Sequence, residues 1–148
     1  MVREWPISHP GGSFSLALRE PALTEDSLGL KTWGSSYVLA QMLARLSTSS
    51  LSHLFNPRLS TPVLELGSGT GLLGLAAAAV WGEDAILTDM AVILPNLAFN
   101  VEQNREVVEA RGGSARAAVL TWGGGEVDGV VLGSMRKGFD VSTIRSRV

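Results

Sequence analysis

The chain has 148 residues, 45% hydrophobic and 18% charged, with a net charge of −2 and no cysteine. That composition builds one globular domain with a real core rather than a disordered tail. The absence of a basic excess argues against a nucleic-acid partner, and the absence of cysteine excludes disulfides and zinc–thiolate sites and fits a reducing compartment.

In chain order, residues 1–27 read as an irregular N-terminal arm without the apolar core of a signal peptide. Phe14, Leu16 and Leu18 alternate with Ser15, Ala17 and Arg19, so a short strand is possible there. Ser35 or Ser36 is placed to cap a helix, and Val38, Leu39, Met42, Leu43 and Leu46 recur at helical spacing as its apolar face. Residues 47–62 are rich in Ser, with Asn56 and Pro57, and read as a loop.

Pro62 opens an apolar strand over 63–66, followed by a glycine-rich turn over 67–71. Residues 72–81 are apolar all round, which predicts a buried helix ended by Gly82 and Glu83. A second buried strand over 85–88 ends at Asp89. A helix then starts near Ala91, with Pro95 tolerated in its first turn and Leu94, Leu97, Ala98 and Val101 on its buried face. Glu102, Arg105, Glu106 and Glu109 read as its solvated side. Gly112 and Gly113 break the chain before a third strand over 115–120, and Gly123 to Gly125 follow Trp122. Strand and helix alternate, and the strands are apolar runs, which predicts an α/β fold around a parallel sheet. The longest apolar run, 72–81, is too short to span a bilayer, so a soluble, cytoplasmic protein is expected, with the nucleus as the alternative.

The chemistry centres on Glu65-Leu66-Gly67-Ser68-Gly69-Thr70-Gly71, at a strand-to-helix handover. Glycine there lets backbone approach a ligand closely, at the sheet edge where open α/β folds bind nucleotides. Asp89, at the end of the next strand, can accept two hydrogen bonds from a ribose diol. Gly69 to Gly74 also matches G-x-G-x-x-G, and Asp89 stands near the spacing of an NAD site, so the pattern admits both cofactors. Glu65 favours a cationic sulfonium cofactor with a free amino group, because a carboxylate does not help a pyrophosphate. A turn without any ligand is the plain alternative. His9 and His53 have no partners at ligand or triad spacing and read as surface or structural residues, so no metal is expected.

Four blocks carry a resemblance. Gly29-Leu30-Lys31-Thr32-Trp33, with Leu39-Ala40 and Leu43, resembles the opening signature of methyltransferase family 16. Residues 63–74 resemble its V-L-E-L-G-x-G-T-G-L-x-G, and Thr88-Asp89-Met90 its T-D-x. Leu94-Pro95-Asn96-Leu97, with Asn100 and Asn104, resembles its L-P-N-L-x-x-N-x-x-x-N, and Leu120-Thr121-Trp122-Gly123 its L-D/T-W-G. The L-T-W form and the long first arm are most similar to the fungal branch, which includes elongation-factor lysine methyltransferases and the rapid-response-to-glucose proteins.

The resemblance implies a Rossmann-like class I methyltransferase fold, with the first three strands in the order 3-2-1 and the fourth beside the first. It implies S-adenosylmethionine as cofactor and a protein lysine as methyl acceptor, possibly on a translation elongation factor. It further implies that Trp33 borders the methionine end of the cofactor. Gly67, Ser68 and Gly69 would line the methionine moiety and ribose, Asp89 would hold the ribose hydroxyls, and Trp122 would pack beside the adenine. Trp33 and Trp122 have a plain alternative as core residues, and Asp89 as a helix cap.

The match weakens after Trp122. The family continues to a fourth strand, F-D-x-I-L-x-x-D-x-x-Y, whose last acidic residue and aromatic line the transfer site. Residues 128–134 resemble its start, but Met135 stands where the acidic residue belongs. Phe139-Asp140-Val141 resembles it more closely, then gives way to a polar and basic stretch over 142–148. The expectation is therefore an incomplete fold, with parallel strands one to three and at most part of strand four. Its parts are an arm over 1–27, a partial cofactor-binding domain over 28–141 and a disordered tail over 142–148. No catalytic residue is identified. Val141-Ser142 can be encoded GTG-AGT, the usual start of an intron, so the tail is read as translated intron. A non-catalytic cofactor-binding or interaction module, or a fragment of an NAD-dependent enzyme, is the alternative to a methyltransferase.

Overall fold

A computed structural model of the chain describes residues 1–21, 28–50, 52–54 and 61–120. Where an irregular arm with one possible strand is expected, the chain forms a hairpin. Strands β1 (Val2–Ile7) and β2 (Phe14–Arg19) pair antiparallel, with Ile7 opposite Phe14 and Val2 opposite Arg19. The alternation over 14–18 places Leu16 and Leu18 inward, where they join Ile7 in the main core with residues of α1, α2 and the sheet, while Ile86 packs with Leu64, Ala118 and Val119 in a second cluster. The partner strand is hard to read from sequence because Val2-Arg-Glu-Trp-Pro-Ile7 alternates weakly and carries Pro6 next to its end.

Helix α1 (Gly34–Leu46) forms where expected but is rotated from the expected face. Val38, Leu39 and Met42 are 60%, 39% and 45% exposed, while Ala40 and Leu43 are buried. The hairpin chooses the face. Tyr37 Oη and Gln41 Nε2 both donate to the Pro6 carbonyl, at 3.1 and 2.7 Å, and the Ser8 amide donates to Gln41 Oε1 at 3.0 Å. Trp5 packs on Tyr37 with ring centroids 5.0 Å apart. On the inward side, small Ala40 allows α1 to lie close against helix α2 (Leu72–Trp81), whose Trp81 Nε1 donates to the Leu43 carbonyl at 3.0 Å. The expected serine cap is also replaced. Trp33 holds the N-cap position without a side-chain bond, and Ser36 Oγ donates back to the Trp33 carbonyl at 2.7 Å.

The parallel sheet contains β3 (Val63–Leu66), β4 (Asp84–Asp89) and β5 (Ser114–Val119) in the order β3-β4-β5, which is the expected 3-2-1 arrangement. Val63 stands opposite Ala85, and Asp89 opposite Val119. Helix α2 follows β3 and packs on all three strands. Its run of Ala76, Ala77, Ala78 and Ala79 is buried, as an all-apolar helix must be. Helix α3 (Leu94–Gln103) carries Pro95 in its first turn, and α4 (Arg105–Glu109) continues it after a break at Asn104. Leu97 and Val101 are buried, and Glu102, Arg105, Glu106 and Glu109 are exposed, as their spacing predicts, but Leu94 is only half-buried and Ala98 is exposed, because Asn96 and Asn100 take the inward positions. Burying Leu72, Leu75, Leu87 and Leu97 contributes about 1.5–3 kcal/mol each. This is an α/β architecture with a three-stranded parallel sheet, consistent with an incomplete Rossmann-like fold. Trp122 and the expectations for residues 121–148 lie outside the described residues. Among those described, no helix is long and apolar enough to cross a membrane.

Candidate functional site

At the carboxyl ends of β3 and β4 lies a cleft of about 370 Å³, within the usual range for small-molecule sites. Its lining includes Trp33, Glu65, Gly67, Ser68, Gly69 and Asp89, so six of the seven residues singled out in the sequence meet in one place. The seventh, Trp122, is outside the described residues.

The turn owes its shape to glycine at two positions in particular. Gly67 has φ +68°, and a Cβ placed there would meet nothing within 4 Å, so it would point into open space at the cleft. Gly74, one turn into α2, leaves room for the Glu65 carboxylate, since a Cβ there would overlap both Glu65 Oε2 and the Leu87 side chain. The turn is tied to β4 at several points. The Ser68 amide donates to the Thr88 carbonyl at 2.9 Å, and Thr88 Oγ1 donates to the Glu65 carbonyl at 2.6 Å. Asp89 Oδ2 accepts the Gly69 amide and Oδ1 accepts the Met90 amide, both at 2.7 Å. Asp89 therefore braces the turn and the start of the next loop while its carboxylate lines the cleft.

Two buried polar atoms in this lining, Glu65 Oε2 and Ser68 Oγ, have no well-formed hydrogen bond among the described residues, although the Ser68 side chain and the Gly74 backbone lie near the Glu65 carboxyl. Buried polar groups are nearly always paired, so both atoms have capacity for an external partner. Burial is the largest effect and, against the lowering effect of the Ser68 side chain and the Gly74 backbone and with a small push from the Asp89 charge, raises the Glu65 carboxyl from 4.5 to about 7. A cation placed beside it would be stabilised and would draw the carboxyl to its charged form. Trp33 is not a core residue: it is 54% exposed, and its ring offers an aromatic wall to the cleft. The arrangement thus offers two acidic side chains, an open backbone turn, an aromatic face and the Lys31 ammonium. Its excess of acidic acceptors favours a cationic ligand with hydroxyl groups over a pyrophosphate.

Sequence reasoning assigned no role to Lys31, Thr32 or Thr70. Lys31 lines the cleft, with Nζ 6.0 Å from the Trp33 ring centroid. Thr32 and Thr70 are buried with their hydroxyls 2.8 Å apart, which ties the segment before α1 to the turn. Their signal was present in the G-L-K-T-W and G-T-G blocks, but nothing in the spacing says that two threonines 38 residues apart touch. His9 Nδ1 accepts the Gly11 amide and His53 Nδ1 lies 2.8 Å from the Ser50 carbonyl, both local turn contacts away from the cleft. Among the described residues no group of three or more His, Cys, Asp or Glu is placed to hold a metal ion.

Comparison with known proteins agrees with this geometry. Residues 13–133 match the family described as lysine methyltransferase. The chain is 38% identical over 120 residues to the protein-lysine N-methyltransferase rrg1 of Schizosaccharomyces pombe, covering 81% of this chain and 36% of that protein. It is 40% identical over 122 residues to the protein-lysine N-methyltransferase EFM2 of Saccharomyces cerevisiae, covering 74% of this chain and 28% of that protein. With the EEF1A lysine methyltransferase 3 of Mus musculus it shares 43% identity over 61 residues, 41% of this chain and 24% of the mouse protein. The chain spans about a third of the length of the two fungal relatives it matches.

Proposed function

Because the chain belongs to the lysine methyltransferase family, we propose that its cleft holds S-adenosylmethionine and serves methyl transfer to a protein lysine. The observation that carries the reading is the buried Glu65 Oε2, without a hydrogen bond among the described residues, beside an open glycine turn. The cofactor is a cation with a free ammonium, a ribose diol and an adenine, and it supplies an electrophilic methyl group. Glu65 faces the ammonium, Gly67, Ser68 and Gly69 follow the methionine moiety and ribose, and Asp89 accepts from the ribose hydroxyls. Trp33 would wall the methionine end, and Trp122, which lies outside the described residues, is assigned to the adenine by the resemblance alone. The acceptor lysine must arrive as a neutral amine in line with the methyl carbon, so positioning and exclusion of water matter most.

The chemistry at the acceptor end is drawn from residues other than those lining this cleft. In the family it belongs to the acidic residue and aromatic after the fourth strand, and residues 128–141 offer no matching D-x-x-Y. A polypeptide of these 148 residues is therefore proposed to bind the cofactor without transferring its methyl group by itself. An elongation factor is the first acceptor to test, because the mouse relative is an EEF1A lysine methyltransferase, and the cytoplasm the first compartment in which to look for it. The experiment combines calorimetry with S-adenosylhomocysteine and NAD and an assay with labelled cofactor and cell extract. Binding of the first ligand alone, with no label transferred, is expected. Absence of binding overturns the cofactor assignment, and robust labelling of any protein overturns the second claim.

A further inference from the structure

Three asparagines spaced four apart, Asn96 and Asn100 in α3 and Asn104 at the break after it, are all buried, and the cofactor cleft uses none of them. Their partners lie in the N-terminal hairpin. Asn104 Oδ1 accepts the Ala17 amide at 2.8 Å and Asn104 Nδ2 donates to the Ala17 carbonyl at 2.9 Å. Two residues along β2, Asn100 Oδ1 accepts the Arg19 amide at 2.8 Å and Asn100 Nδ2 donates to the Arg19 carbonyl at 3.3 Å. Asn96 Oδ1 accepts Arg19 Nε at 2.8 Å, and its Nδ2 donates to the Arg19 carbonyl at 3.1 Å. Each side-chain amide of Asn100 and Asn104 thus treats one strand residue as a neighbouring strand's peptide would. The spacing permits it, because four residues of helix rise about 6 Å and two residues of strand about 6.6–6.8 Å.

One member of the ladder reaches further. Asn100 Nδ2 also donates to the Thr70 carbonyl in the glycine-rich turn, at 2.9 Å, and Thr70 is held from its other side by the Thr32 hydroxyl. We infer that Asn100 is a positioning residue that couples docking of the N-terminal hairpin to the shape of the cofactor turn, so that the hairpin is a working part of the cofactor site. The inference rests on the cofactor reading above. It extends that reading by making residues that touch no ligand determinants of its affinity. Coupling is reciprocal, so a ligand that orders the turn tightens the hairpin by the same factor.

Amide hydrogen exchange by NMR on the whole chain tests this, with S-adenosylhomocysteine as the probe. The Gly69 amide, bonded to Asp89, reports ligand at the turn, and the Ala17 amide, bonded to Asn104, reports hairpin docking. Saturating ligand is expected to slow exchange at both, by about tenfold at Ala17, within the usual range of coupling. In Asn100→Ala, Gly69 remains protected by saturating ligand, at a weaker dissociation constant, while Ala17 no longer responds. Protection of Gly69 with no change at Ala17 in the wild type overturns the coupling and leaves the cofactor reading intact. Protection at neither, with no binding heat, overturns the cofactor reading. The coupling then stands or falls on the ligand-free Asn104→Ala variant, which loosens the hairpin without touching the turn. Faster exchange at Gly71, whose amide donates to the Ser68 carbonyl, is expected, and unchanged exchange there refutes the coupling. If Asn104→Ala does not fold, Asn104→Ser, which keeps a polar group, takes its place.

Discussion

The carboxylate of Asp89 accepts the amide of Gly69 at 2.7 Å, so the end of β4 closes the turn that leaves β3. A residue singled out for a ligand's ribose is thereby also a brace of the ligand-free site. Asp89→Ala is expected to weaken S-adenosylhomocysteine binding by about 10- to 100-fold, from lost charge-assisted hydrogen bonds of about 1.5–3 kcal/mol. Asp89→Asn keeps an acceptor for Gly69 and should lose less. Calorimetry giving equal dissociation constants for wild type and Asp89→Ala would remove Asp89 from the site.

Glu65 predicts two opposite pH trends. Its carboxyl titrates at about 7 when folded, against 4.5 unfolded, because burial disfavours the charge. Between those values the native state holds a proton that the unfolded state has released. The stability this group contributes is fully present below 4.5 and is lost as pH rises through 7. A cationic ligand prefers the carboxylate, so its affinity should instead rise with pH and level off above 7, by at most about tenfold per unit. Thermal melts and calorimetry across pH 5 to 8 (roughly the span in which such a shift acts) read both trends. Glu65→Gln should flatten both, and parallel trends in the wild type would count against the assignment.

Trp33 separates a ligand wall from a core residue. With the residue 54% exposed, Trp33→Ala should change stability by no more than about 0.5 kcal/mol, as surface substitutions do. Loss of an aromatic wall should nevertheless weaken ligand binding by about tenfold. A large fall in melting temperature with unchanged affinity would reverse the reading.

Gly67→Val combines backbone strain with bulk. At φ +68° a β-branched residue is strained by about 1–2 kcal/mol, and its side chain would enter the cleft. Binding should be lost. Gly112→Val is the control, because Gly112 also has positive φ, +84°, with open space around its Cβ position, but lies between α4 and β5, outside the cleft lining. It should share the strain and keep the affinity. Equal binding losses in both variants would mean that strain alone is being measured.

The central βαβ unit was legible because its signals are local. Val63 to Leu66 and Ala85 to Leu87 are apolar runs, the glycines mark the turn, and 72–81 is apolar without a polar face. The hairpin and the buried face of α1 were not, because each depends on the other. Val38, Leu39 and Met42 form the better apolar stripe on paper, yet Tyr37 and Gln41 turn inward to reach the Pro6 carbonyl. Helical periodicity sees only hydrophobicity and is blind to a carbonyl 31 residues away.

From the sequence alone came the α/β class, the order of the parallel strands through resemblance, and the set of residues that line one cleft. Those features follow from patterns confined to one element or one turn, where period, apolarity and glycine decide the backbone. Tertiary structure decided what the sequence could only name. It brought Asn96, Asn100 and Asn104 onto the edge of β2, left Glu65 Oε2 without a hydrogen bond among the described residues in a space that Gly74 keeps open, and made Asp89 a brace as well as a cleft-lining carboxylate. Each of these is a meeting of residues distant in the chain. Whether a buried polar group is satisfied depends on which partner arrives, and that is settled only when the segments pack.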